Sequence, residues 1–164
     1  MAHETAEDVA ALQRLIDASH AGAGDHLKRI FSDERRVSAE DLPGRLAGIQ
    51  VLHLATVTAA GEPRVAPVDG HFYRGEFYFG SAADSLRFRN IRERPAVSAT
   101  VTHGEEFAVV VHGTAVQVDP RAPEESALRD FLNEQYDGDW VDRGPANPYA
   151  RIDAAKLFTF GGVH

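Results

Sequence analysis

The chain reads as a mainly β protein with flanking helices, built on a small closed or split six-stranded barrel. Three observations predict this. From Val51 onward, six separate runs rich in apolar and β-branched residues read as extended strands. Short turns carrying Gly, Pro or Asp join most of these runs, as hairpins require. Only two helical inserts interrupt them, one between the third and fourth runs and one between the fifth and sixth, and the strands lie too close together for a doubly wound βαβ sheet.

The elements follow in order. Residues 4–50 read as helical. Thr5 with Asp8 resembles a capping pair, although Glu or Gln is usual at the second position, and Val9, Leu12 and Ile16 recur at helical spacing. The run AGAG at 21–24 breaks that helix. A second helix is expected from Asp25 to about Arg35, with Leu27, Ile30 and Phe31 inward. Ser38 can cap a third, short helix carrying Leu42, Leu46 and Ile49, with Pro43 and Gly44 interrupting it. The period then changes. VLHLATVT is the first strand, AAGEP a turn, and RVAPVDGHFY the second strand. Pro67 within it implies a sheet edge or a bulge, and Gly70 a bulge or bend. Arg74, Gly75 and Glu76 make a tight hairpin into the third strand, FYFGS. After a helix, PAVSATVT is the fourth strand, and residues 107–118 form a long fifth one whose Gly113 suits a barrel corner. Pro123, Glu124 and Glu125 open a helix with Leu128, Phe131, Leu132 and Tyr136 on its apolar face. A Gly/Pro/Asp-rich loop with the only tryptophan, Trp140, leads to a last strand from Arg151 to Phe160. This divides the chain into a helical extension, 1–46, and a barrel domain, 47–164.

Composition narrows the function. The 164 residues suit one domain, and 43% apolar content is enough for a core. A net charge of −8 argues against nucleic acid as the main partner. The absence of cysteine excludes disulfides, thiolate–zinc sites and thiol nucleophiles, and fits a reducing cytoplasm. No apolar run reaches the ~20 residues of a membrane span, and the acidic start MAHETAEDVA is unlike a secretion signal. Phe72, Phe77, Phe79 and Phe107 offer more aromatic surface than one short barrel readily buries, so a homodimer is expected.

One stretch stands out chemically: FYFGSAADSLRFRNIRERPAVSAT, residues 77–100. Asp84 or Ser85 can cap a helix of two to three turns that Pro95 ends, and four arginines, Arg87, Arg89, Arg92 and Arg94, crowd it. On a helical wheel Phe88 and Ile91 face inward, Arg89 faces away, and Arg87 and Arg92 flank the buried stripe. Arg87, near the helix start, is the phosphate candidate: free amides of the first turn and a guanidinium fork would lie side by side. A solvated basic face is the alternative. Dinucleotide, Walker, nucleophile-elbow and zinc-helix motifs are all missing. No metal site is expected from the eight scattered histidines; His53 and His112 read as hydrogen-bonded strand residues. Asp69 and His71, two apart on one strand, face the same side and could form a polar pair near a ligand. No catalytic residue can be named, so any reactivity would come from a cofactor.

The succession LATVTAAGEPRVAPV, FYFGSAADSLRFRNIRERPAVSATV and VVHGTAVQVD resembles the pyridoxamine 5′-phosphate oxidase-like family of flavin and deazaflavin proteins over about residues 46–120. The resemblance implies a Greek-key, six-stranded split β-barrel of the flavin-binding type, a homodimer with the cofactor at the subunit interface. It also implies an oxidoreductase that exchanges hydride between FMN, or the deazaflavin coenzyme F-420, and a small organic substrate. The family's phosphate-gripping pattern, Ser-x-Lys-x-x-Asn-Leu before Pro-x-Val-Ser, is matched by Ser85, Arg87, Asn90 and Ile91 before Pro95, Val97 and Ser98. Arg87 replaces the usual lysine, and a guanidinium can grip phosphate at two points. Gly80 and Ser81 correspond to small positions beside the cofactor. Arg64, Val65, Ala66, Pro67 and Val68 match the segment along the flavin ring. The chain closes on TFGGVH, without the arginine-containing tail of true pyridoxamine 5′-phosphate oxidases, so that activity is not expected. A non-catalytic flavin or haem carrier using the same groove is the second reading, with His112 or His164 as a conceivable haem ligand. A third is a cofactor-free interaction domain.

Overall fold

A computed structural model describes residues 3–161. Its six antiparallel strands close into a barrel in the order β1-β2-β3-β6-β5-β4. They are β1 Gln50–Val57, β2 Pro63–Tyr73, β3 Glu76–Gly80, β4 Ala96–His103, β5 Phe107–Val118 and β6 Tyr149–Gly161. The helices are α1 Ala6–Ala21, α2 Asp25–Ile30, α3 Leu42–Arg45, α4 Leu86–Glu93, α5 Ser126–Gln135 and α6 Trp140–Arg143. Two single turns of 3₁₀ helix, Asp33–Arg35 and Pro123–Glu125, complete the set.

Local chemistry accounts for the borders. Thr5 accepts the Asp8 N–H while Asp8 accepts the Thr5 N–H, a reciprocal cap that starts α1. The β2–β3 hairpin turns on Arg74 and Gly75, both at positive φ (52° and 82°), the two-residue geometry that matches strand twist. Arg74 then reaches Asp8 at 3.1 Å and ties the hairpin to α1. Gly113 sits at a register shift between β5 and β6. A side chain there would place its Cβ 2.2 Å from the Asp153 carbonyl oxygen, so only glycine lets the strands cross at this corner.

Two expectations need correction. The second helix stops at Ile30 and has no buried residue. The backbone turns at Phe31 (φ −94°, ψ 54°), whose ring packs 5.7 Å from Phe158 and 6.2 Å from Phe160 on the barrel wall. Aromatic contact with β6 outweighs another helical turn. Phe72, Phe77, Phe79 and Phe107, taken as an aromatic surplus, are all buried within one chain. They therefore supply no surface for pairing. Leu12 and Ile16 of α1 join them in a single buried cluster with Leu52, Leu54, Val109 and Leu157. Ser19 accepts the Leu157 N–H at 2.9 Å, and Thr159 exchanges two hydrogen bonds with Val37, so the N-terminal segment is fastened along β6.

Candidate functional site

β2 has two unlike halves. Gly70, His71, Phe72 and Tyr73 pair with β3, whereas the residues from Pro63 to Asp69 pair with β1 alone. The first half is therefore a free edge, the place where Pro67 is tolerated, because no neighbour asks for the N–H it lacks. Side chains alternate along it. Val65, Pro67 and Asp69 lie level with Ala55, His53 and Val51, on the outward face of β1, while Arg64, Ala66 and Val68 lie level with buried Thr56, Leu54 and Leu52.

α4 docks beside that edge. Ser85 caps it, its Oγ accepting the Phe88 N–H at 3.3 Å. Phe88 and Ile91 fill the core, and Asn90, 2% exposed, donates to Thr56 Oγ1 at 3.0 Å and bolts α4 to β1. Asn90 is thus turned away from the cavities. Arg87 leaves the helix on the side facing β2. Its Nη1 donates to Ser81 Oγ at 2.9 Å and its Nη2 to the Pro67 carbonyl at 3.1 Å. Both partners are neutral oxygens. Among the described residues Arg87 makes no ion pair, and partial burial pulls its pKa below the ordinary guanidinium value. A cation drawn partly out of water without a counter-charge is unfavourable by itself and is relieved by a bound anion. The Pro67 carbonyl points off the sheet toward this cation. By the alternation of an antiparallel strand, Val65 carries its N–H and C=O on the same open side.

Arg87 separates two small cavities. One, about 190 Å³, is lined by Leu54, Thr56, Arg64, Ala66, Ser85, Leu86 and Arg87. Arg64 reaches it with its guanidinium held by Glu62 at 2.6 Å. The other, about 240 Å³, is lined by Val68, Asp69, Gly80, Ser81, Tyr136, Trp140, Asn147 and Tyr149. A Cβ at Gly80 would lie 2.9 Å from the Tyr149 ring, so the small residue lets that ring close the wall. The structure gathers Arg64, Ala66, Val68, Gly80, Ser81, Ser85 and Arg87 around these two spaces, with the Pro67 carbonyl between them. It does not bring in Asn90 or the Val65 side chain, which is 70% exposed on the outer face.

A polar cluster missed as such by sequence lies behind the second cavity. Asp69 and His71 do not touch through their own atoms but meet at one hydroxyl. Tyr136 OH donates to Asp69 Oδ2 at 3.4 Å and lies 3.1 Å from His71 Nε2. With the phenol proton on Asp69, His71 must carry its proton on Nε2, which leaves the buried Nδ1 as an unpartnered acceptor. Burial lowers the His71 pKa to about 4, with the Asp69 charge opposing the shift, so the ring is neutral near pH 7. Burial likewise raises the Tyr136 phenol, with smaller contributions from Tyr149 and Asp69. The sequence places Tyr136 on the apolar face of its helix. It is in fact the residue that ends α5, where its ring stacks on Trp140 at 5.0 Å and its hydroxyl turns to β2. Of the histidines named as haem ligands, His112 stands exposed on β5 with Nδ1 2.7 Å from Ser98 Oγ, away from both cavities. His164 lies outside the described residues.

The pattern of the pyridoxamine 5′-phosphate oxidase family matches residues 38–158. Solved structures share the fold. A haem storage protein from Vibrio cholerae superposes with a TM-score of 0.63 at 20% identity, over 77% of this chain and 97% of that one. An FAD-binding protein from Mesorhizobium loti gives 0.59 at 23% identity, over 79% and 98%. An F420 reductase gives 0.54 at 25% identity, over 70% and 94%. No curated protein sequence matches the chain.

Proposed function

The chain belongs to the pyridoxamine 5′-phosphate oxidase family, and from that premise we propose that it is an oxidoreductase whose Arg87 cleft holds the phosphate-bearing tail of a flavin-type coenzyme, FMN or the deazaflavin F-420. The single observation that carries this is Arg87 itself: a half-buried guanidinium, fixed by two neutral oxygens and lacking a carboxylate. Ser81 and Ser85 add hydroxyls on either side of it, so an arriving phosphate meets charge and donors together. The open edge of β2 offers backbone groups at Val65 to the polar rim of a ring, and Gly80 and Ala66 leave room for one. When bound, the coenzyme supplies the hydride chemistry. The protein's residues bind, orient and exclude water. No side chain is nominated as an acid or base, because the nearest titratable pair, His71 and Tyr136, is neutral near pH 7 and hydrogen-bonded internally.

Two copies of the chain, facing each other across the outer side of β1 and β2, would close the cleft. Val51 and Val65 stand 57% and 70% exposed there, which favours a homodimer on this face. The test is fluorescence titration of the purified protein with FMN and with F-420, followed by anaerobic reduction and reoxidation of whichever binds. Saturable binding and turnover on an organic acceptor are expected. Indifference to both coenzymes would overturn the reading. The likeness to haem proteins gives the carrier reading its one support. A Soret band on adding haemin, together with silence toward flavins, would favour it.

A further inference from the structure

The largest of the cavities that adjoin this site is not explained by a coenzyme phosphate. It encloses about 490 Å³ at the end of β5, beneath the segment 140–148, which is the size range of small-molecule pockets. Trp140, 45% exposed, stands on its wall together with Tyr149 and Asn147, and these same three residues also line the 240 Å³ cavity beside Ser81. The two spaces are therefore neighbours divided by one aromatic partition. Tyr136 braces that partition from behind by stacking on Trp140.

Two arginines also line it. Arg121 is held rigid, Nε donating to the Val141 carbonyl at 2.8 Å and Nη2 to the Gly144 carbonyl at 2.9 Å. Arg92 donates Nη1 to the Ala83 carbonyl at 3.3 Å. Neither guanidinium belongs to an ion pair among the described residues, and the one lining carboxylate, Asp119, uses Oδ1 to accept the backbone N–H of Arg121. Two guanidinium groups against one carboxylate leave this lining net positive in a chain of net charge −8. The anchoring of the 141–144 turn accounts for Arg121 alone.

We propose that this cavity is a separate binding site for a planar aromatic carboxylate, its ring against Trp140 and its carboxylate toward Arg92 and Arg121. A guanidinium fork matches a carboxylate, and indole offers an aromatic face at small conformational cost. The site does not depend on the coenzyme reading, since Arg87 is not among the residues that line it.

The chain's only tryptophan is its reporter. Titration of the full-length protein with 4-nitrobenzoate, a quenching ring with one carboxylate, should extinguish Trp140 emission saturably. It should bind about tenfold or more tightly than the neutral 4-nitrobenzyl alcohol, the ratio expected of a charge-assisted contact. Arg92→Gln should cut that preference several-fold without altering the circular dichroism or the thermal midpoint. Arg87→Ala, which weakens FMN in the reading above, should leave it intact. Equal, unsaturable quenching by acid and alcohol would overturn the site. So would a preference unchanged by Arg92→Gln. A preference that vanishes in Arg87→Ala would place the anion in the coenzyme cleft and overturn the claim of a second site, while leaving the cleft standing.

Discussion

His71 makes the stability of this protein depend on pH in a way its fold dictates. The ring is fully buried between Phe131 and Tyr136, with Asp69 the one charged group acting on it among the described residues. Its pKa is lowered to about 4 from an ordinary 6.5. The folded state therefore keeps the ring neutral while an unfolded chain protonates it below pH 6.5. A base with a depressed native pKa contributes stability that is present above the unfolded value and lost as pH falls toward the folded one. Between pH 7 and pH 5 the loss comes to about 2 kcal/mol, and it levels off at about 3 kcal/mol below pH 4. Urea unfolding of wild type and His71→Phe across this range isolates the contribution, because all other groups cancel in the difference. Phenylalanine keeps the edge contacts to Phe131 and Tyr136. Wild type should lose about 2 kcal/mol more than the variant between pH 7 and 5. Parallel curves would refute the reasoning. So would an imidazole that titrates near 6.5 by NMR in the folded protein.

Other expectations follow from single contacts. Arg87→Ala should weaken FMN or F-420 binding by ~1.5–3 kcal/mol, read by fluorescence titration, while thermal stability stays within about 1 kcal/mol. Gly113→Ala drives a Cβ into the Asp153 carbonyl at 2.2 Å and should cost ~1–3 kcal/mol in chemical unfolding. Phe79→Ala empties a fully buried site and should cost ~3–5 kcal/mol by the same measurement. Sedimentation equilibrium should give a dimer for wild type and a weakened one for the charge-bearing double variant Val51→Asp, Val65→Asp.

Much of the barrel was legible because its signals are local. The period of two marked the strands, Gly113 marked the corner, and Ser85 marked the start of α4. Pro67 announced the open edge that makes the cleft possible. Arg87 could be singled out by its place on the helical wheel, since flanking the buried stripe near the first turn determines where a side chain can reach. The rest depends on distant parts of the chain. Nothing near Tyr136 says that its hydroxyl will meet β2 between Asp69 and His71, 67 and 65 residues earlier. Asn90 fits a motif, yet its amide is spent on Thr56 because both are buried in the same seam. Trp140 reads as a loop residue, and only the closure of β6 on β3 at Tyr149 and Gly80 turns it into a partition. Phe31 broke the helical period because its partners lie on the last strand.

The direct trial of the central claim compares each coenzyme with its phosphate-free chromophore: FMN with riboflavin, and F-420 with the bare ribityl deazaflavin. An anion gripped by Arg87 predicts a preference of ~10–100-fold for the phosphorylated member of at least one pair, abolished by Arg87→Ala. Equal affinities within both pairs, or a preference that persists without the guanidinium, would contradict it.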